Sequence, residues 1–133
     1  MKDKIISGKR KEAVAKAKIT KGTGKVFINN RDYKTFEILK RLRIEEPLKI
    51  AEKILDEIDF DITIKVKGGG EKGQIEASRL ALSKAIIYFT GSKELEEVFV
   101  KYDRNLLVAD VRKKETYKPG VSKARKKRQT SYR

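Results

Sequence analysis

The chain has no cysteine, no histidine and no tryptophan, and only two prolines and one methionine among its 133 residues. Without cysteine there are no disulfides and no thiolate metal ligands; without histidine the commonest general base and the commonest zinc ligand are both missing. Catalysis starts at a disadvantage, and neither metal nor cofactor is expected. Long apolar runs are lacking too. No stretch approaches the roughly 20 residues that cross a bilayer, and Met1-Lys2-Asp3-Lys4-Ile5-Ile6 has no apolar core of the kind a secretory signal needs. A soluble, intracellular protein with no membrane partner is expected.

What the chain does have is positive charge, a formal net +15. A lone domain so charged repels itself unless a polyanion is nearby. The charge is also unevenly placed. Residues 1–25 carry nine Lys/Arg against Asp3 and Glu12, residues 26–111 carry fifteen basic against sixteen acidic side chains, and residues 112–133 carry ten basic ones against Glu115 alone. A nearly neutral centre between basic ends predicts one globular body, residues 1–111, and an extended basic tail, residues 112–133. No internal repeat is visible.

Periodicity places the elements. Ala13, Ala15, Ala17 and Ile19 alternate with Val14, Lys16, Lys18 and Thr20, which predicts a strand with one wet, basic face. Gly22-Thr23-Gly24 then suggests a turn into a second strand, Lys25 to Asn29, and so a hairpin. Tyr33, Phe36, Leu39 and Leu42 have helical spacing, as do Leu48, Ala51, Ile54 and Ile58 after Pro47, predicting two helices. Phe60, Ile62, Ile64 and Val66 alternate with Asp61, Thr63, Lys65 and Lys67, the strongest strand signal in the chain. A helix from about Gly73 to Phe89 follows, then one after Ser92 bearing Leu95, Phe99 and Tyr102, then a short strand from Leu106 to Val111. The expected fold class is α+β: a mixed four-stranded sheet with helices packed on it, in the order ββααβααβ, with an extended basic C-terminal tail.

Several segments invite chemical readings. Gly68-Gly69-Gly70-Glu71-Lys72-Gly73-Gln74 sits between a strand and a helix, but Gln74 and Ile75 stand where a nucleotide-binding loop needs Lys and Ser or Thr. Two readings of its glycines stand: a closely packed turn, or backbone amides, at Gly69 and Gly70, contacting an RNA phosphate beside Lys72. Asp59 and Asp61 are expected on a solvated strand face and not at a metal, and Tyr88, Phe89, Phe99 and Tyr102 in core packing and not on a base-stacking platform. Lys9-Arg10-Lys11 and Lys123-Ala124-Arg125-Lys126-Lys127-Arg128 have almost no acidic neighbours, so their natural complement is phosphate. The tail has too few large apolar residues to insert in a membrane, and a nuclear address leaves the separate basic N-terminal strand unexplained.

These residues resemble the universal family of the ninth small-subunit ribosomal protein across nearly the whole chain. The matching pieces are Gly8-Lys9-Arg10-Lys11-Glu12-Ala13-Val14-Ala15, Gly68-Gly69-Gly70 with Gly73-Gln74 and Ala77-x-Arg79, and Lys123-Ala124-Arg125-Lys126-Lys127-Arg128-Gln129-x-Ser131-x-Arg133. The resemblance implies a non-enzymatic protein in the head of the small subunit. Its expected partners are small-subunit ribosomal RNA, neighbouring head proteins and peptidyl-site tRNA. It implies ribosomal RNA contacts at Lys9, Arg10, Lys11, Lys16 and Lys18, at Gly69, Gly70, Lys72 and Arg79, and at Lys123, Arg125, Lys126, Lys127 and Arg128, with Arg133 approaching tRNA. Thr130 and Tyr132 depart from the common bacterial ending and resemble archaeal or eukaryotic members. The rival from another class is an RNA-processing enzyme using Asp59, Asp61 or Glu71 around a metal, and a third reading is a DNA-compacting protein.

Overall fold

A computed structural model describes residues 4–127 and 130–132. Its first strand, β1 (Ile5–Arg10), turns through Lys11 and Glu12 into β2 (Ala13–Lys21). β3 (Val26–Ile28) and β4 (Arg31–Asp32) form a short hairpin; α1 (Ile38–Ile54), β5 (Phe60–Lys67), α2 (Glu71–Thr90) and α3 (Lys93–Tyr102) follow. The sheet order is β1-β2-β5-β3-β4, with β3 parallel to β5 and all other neighbours antiparallel. The α+β class and the mixed sheet with helices packed on it are as expected, but the sheet has five strands, not four.

Burial follows the period of two. Ala13, Ala15 and Ala17 of β2 and Ile62 and Ile64 of β5 are fully covered, while the intervening residues of both strands face outward. α2 lies along β1, β2 and β5. The small residues permit this close approach: a Cβ added to Gly8 would sit 2.5 Å from the Ala77 carbonyl oxygen and 2.7 Å from the Ala81 nitrogen. α1 packs beside α2 and α3, and Phe60 meets Phe89 edge-on with ring centroids 5.6 Å apart.

Four expectations about elements are corrected. The hairpin partner of β2 is β1, not β3, because β5 inserts between β2 and β3. The Gly22–Lys25 loop wraps the start of β5: the amides of Gly22 and Gly24 donate to the carbonyls of Asp59 and Phe60, and the Asp61 carboxylate accepts from the amides of Thr23 and Lys25 at 2.9 and 2.8 Å. The two expected helices are one, α1, with Pro47 inside it. That proline has no N–H to donate into the helix, an interior cost of about 3 kcal/mol, but its ring is fully buried. Tyr33 belongs to a 3-10 turn, Tyr33–Thr35, capped by Asp32, and Leu39 and Leu42 point to solvent. Finally, Leu106 ends a 3-10 turn, Arg104–Leu106, and Val108 and Val111 are exposed, so no last strand forms.

Candidate nucleic-acid interface

The helices cover one face of the sheet, and the other is open. Strand register brings its side chains into rows: Lys9 beside Val14 beside Lys67, Ser7 beside Lys16 beside Lys65, and Ile5 beside Lys18 beside Thr63. All five lysines are exposed. Neighbours lie about 5 Å apart across strands and about 7 Å apart along them. Asp61 is the one acidic residue on this face of β1, β2 and β5. Its carboxylate, turned to the loop amides of Lys25 and Thr23, is held below the usual range by those bonds.

Lys16 and Lys65 stand directly opposite one another. Among the described residues, Lys16, Lys65 and Lys67 make no salt bridge. Like charges in cross-strand register destabilise a sheet, so this arrangement is favourable when a polyanion lies over it. Lys16 and Lys18 were legible from the alternation of β2. Lys65 and Lys67 were missed as site residues, although the same alternation places them outward. The discriminating fact is the β2–β5 register, which adjacency in sequence does not reveal.

The glycine segment divides. Gly68 and Gly69 have left-handed backbones, with φ of 79° and 65°, and added Cβ atoms would lie 2.5 Å from the Glu12 carbonyl oxygen and 2.8 Å from the Ala13 nitrogen. Close packing therefore accounts for both. Gly70 precedes α2 with no side-chain cap and nothing within 4 Å of an added Cβ, so its end of the helix is open beside exposed Lys72.

Other expected contacts fare differently. Arg79 is withdrawn as an RNA contact: only 3% of its surface is exposed, and its guanidinium braces three helices by pairing with Glu46 of α1 at 2.5 Å and Asp103 after α3 at 3.2 Å. Arg10 is largely occupied by Asp110 and the Arg112 carbonyl. Lys11 is exposed in the β1–β2 turn with φ 52°. Lys123, Arg125, Lys126 and Lys127 are exposed in a stretch whose sole strand pairing among the described residues is a Lys118–Ser122 bridge, and Arg125 donates to Glu115 at 3.1 Å. Arg128 and Arg133 lie outside the described residues.

Two aromatic expectations also change. Phe99 is core and Phe89 packs against it, but Tyr88 and Tyr102 are more than half exposed, with the Lys4 ammonium 4.4 Å above the Tyr88 ring centre. The enzyme alternative loses two of its three carboxylates, Asp61 and Glu71, on placement alone. Asp61 is engaged by loop amides, and Glu71, paired with Lys40, lies beyond the far end of β5. That strand is about 25 Å long at the usual rise. No helix among the described residues is long and apolar enough to cross a membrane.

Comparison with known proteins decides the family. Residues 8–133 match the family model described as ribosomal protein S9/S16. The chain belongs to that family. It is 46% identical over 129 residues to the small ribosomal subunit protein uS9 of Methanococcus vannielii, covering 95% of each chain. To the protein of the same name from Thermoplasma volcanium it is 47% identical over 130 residues, covering 97% of each. The resemblance drawn from the three motifs, to an archaeal or eukaryotic-like member of the family, is thereby borne out. This S9/S16 family member is a ribosomal protein of the small subunit, and the relatives carry the names of ribosomal proteins, not of enzymes.

Proposed function

We propose that this chain holds small-subunit ribosomal RNA on the open face of its sheet, through Lys9, Lys16, Lys18, Lys65 and Lys67, and extends its tail to peptidyl-site tRNA. Lys11, Gly70 and Lys72 continue the cationic surface past the end of the sheet, while Lys123, Arg125, Lys126, Lys127 and Arg128 supply the tail's phosphate contacts. Arg133 is the tRNA contact. The observation that carries this reading is the like-charged register of Lys16 with Lys65. It costs stability in the free protein and is repaid when phosphates lie over the face. Residues 1–111 act as the docked body, and the tail, residues 112–133, anchored to the body only at its start, completes its ordering on RNA, meeting the entropy of ordering with charge-assisted contacts in place of a core.

Recognition of this kind depends on backbone charge and shape more than on base identity. Replacing Lys16, Lys65 and Lys67 with glutamine should therefore weaken binding to a small-subunit ribosomal RNA fragment and flatten the slope of log K against log salt by about 2 to 3. An unchanged slope would remove the open face from the interface. Small subunits assembled with a chain lacking residues 131–133 should form normally but release peptidyl-site tRNA faster. Undiminished retention would sink the tRNA part while leaving the RNA-docking part intact.

A further inference from the structure

The basic turn, the glycine segment and the start of the tail are distant in sequence yet meet at one junction. Gly68 and Gly69 abut Glu12 and Ala13, and a Cβ on Gly73 would lie 3.5 Å from the Arg10 carbonyl oxygen. Gly68 and Gly69 thus have no room for a side chain against this turn, and Gly73 lies in ordinary contact with it. The turn in turn grips the chain after α3. The Arg10 guanidinium donates to the Arg112 carbonyl at 2.9 Å and lies 3.5 Å from the Asp110 carboxylate. That carboxylate also accepts from the Arg112 amide at 3.0 Å and from its guanidinium at 2.8 Å. Glu12 takes the Lys113 ammonium at 2.9 Å.

We propose that Arg10, Glu12 and Asp110 are positioning residues that fix the direction in which the tail leaves the body, with the glycine segment as the seat that holds their turn in place. Arg10 ends β1 and Glu12 lies in the β1–β2 turn, so the tail is launched from the end of the same strands that carry the lysine face. A tail starting from a fixed point has fewer directions to search before it meets RNA, and preorganisation of this kind lowers the cost of ordering. Arg10 then acts on RNA through the tail more than by touching phosphate. The purpose assigned here rests on the tail reading above; the junction itself does not.

The chain has no cysteine, so two can be introduced for spin labels without competing thiols. Labels at Lys53→Cys, exposed on α1, and Thr116→Cys, exposed in the tail, report the tail's direction in the free full-length protein by pulsed dipolar spectroscopy. The unaltered junction should give a narrow distance distribution, and Asp110→Asn should widen it about twofold, towards the spread of a freely jointed segment. Glu12→Lys should widen it less, because its pair with Lys113 is more exposed than that of Arg10 with Asp110. Adding Lys113→Glu should restore the original width, a recovery that a general effect of charge would not give. A distribution as broad in the parent as in Asp110→Asn, or no recovery in the swapped pair, overturns the proposal. Glu12 and Lys113 are both exposed, so the swap decides even if Asp110→Asn folds poorly. The measurement uses no ribosome, so its failure is separate from a failure of the tRNA reading.

Discussion

The two faces of the sheet are made from alternate residues of the same strands, yet they follow opposite rules. On the covered face of β2 and β5, alanine, isoleucine, valine and phenylalanine fill the space beneath α2, and each side chain finds its complement within the chain. On the open face, a lysine meets a lysine across the strands, and the complement lies outside the chain. The contrast separates what the protein needs in order to fold from what it needs in order to bind. One residue along a strand is enough to pass from one to the other.

The largest test of that division lies within one strand. Ile64→Ala should cost about 2 to 5 kcal/mol in denaturant unfolding, whereas its neighbour Lys65→Gln should leave stability within about 0.5 kcal/mol and lower RNA affinity instead. A destabilising Lys65→Gln would break the comparison. Arg79 sharpens it, as a charge on the covered side. Arg79→Met strands Glu46 and Asp103, and because those carboxylates remain about a third exposed the loss should be about 2 kcal/mol, below the value for a fully buried pair. The salt slope of RNA binding should not change; a flatter slope would return Arg79 to the interface.

The smallest effect concerns Asp61, the acid on the lysine face. Its carboxyl is held below the usual range in the folded chain, so its contribution is complete above the ordinary carboxylate range, near pH 4. The contribution disappears as pH falls through the depressed folded value. The melting temperature of Asp61→Asn should therefore lie below the parent's at pH 7 and still at pH 4, with the two converging only under stronger acid. A gap that closes between pH 7 and pH 5 would contradict the assignment of Asp61 to the loop amides.

Much of this was legible in the sequence where one period dominated. β2 and β5 have strict alternation, α2 and α3 have clear apolar faces, and all were foreseen to within a few residues. β1 was not, because Gly8 occupies the position where an apolar residue would have completed the pattern, and the reason for glycine there is the approach of α2. The apparent β2–β3 hairpin failed because turn chemistry is local while the insertion of β5 is not. Pro47 made one helix look like two, since its burial is invisible from the helical spacing. At the candidate interface, the charge runs and β2 lysines were readable from composition and period. Lys65 and Lys67 were hidden in a segment whose total charge is near zero, and the engagement of Arg79 depends on Glu46 and Asp103 arriving from separate helices.

The central place of β5 also has a consequence for the order in which the molecule is made. Val14 pairs with Lys67, and Ile28 with Ile64, so neither the β1–β2 hairpin nor the β3–β4 hairpin joins a common sheet until residues 60–67 have emerged during synthesis. Gly8 and the alanines of β2 must wait longer, for α2. Contacts this distant slow folding and leave strand edges open in the meantime. The earliest strands to appear, β1 and β2, carry Lys9, Lys16 and Lys18 on one side and chiefly Gly8, Ala13, Ala15 and Ala17 on the other, with larger apolar side chains only at Ile5, Ile6, Val14 and Ile19. A nascent hairpin of that composition offers little for misplaced apolar association, which suits strands that have to wait for their neighbours.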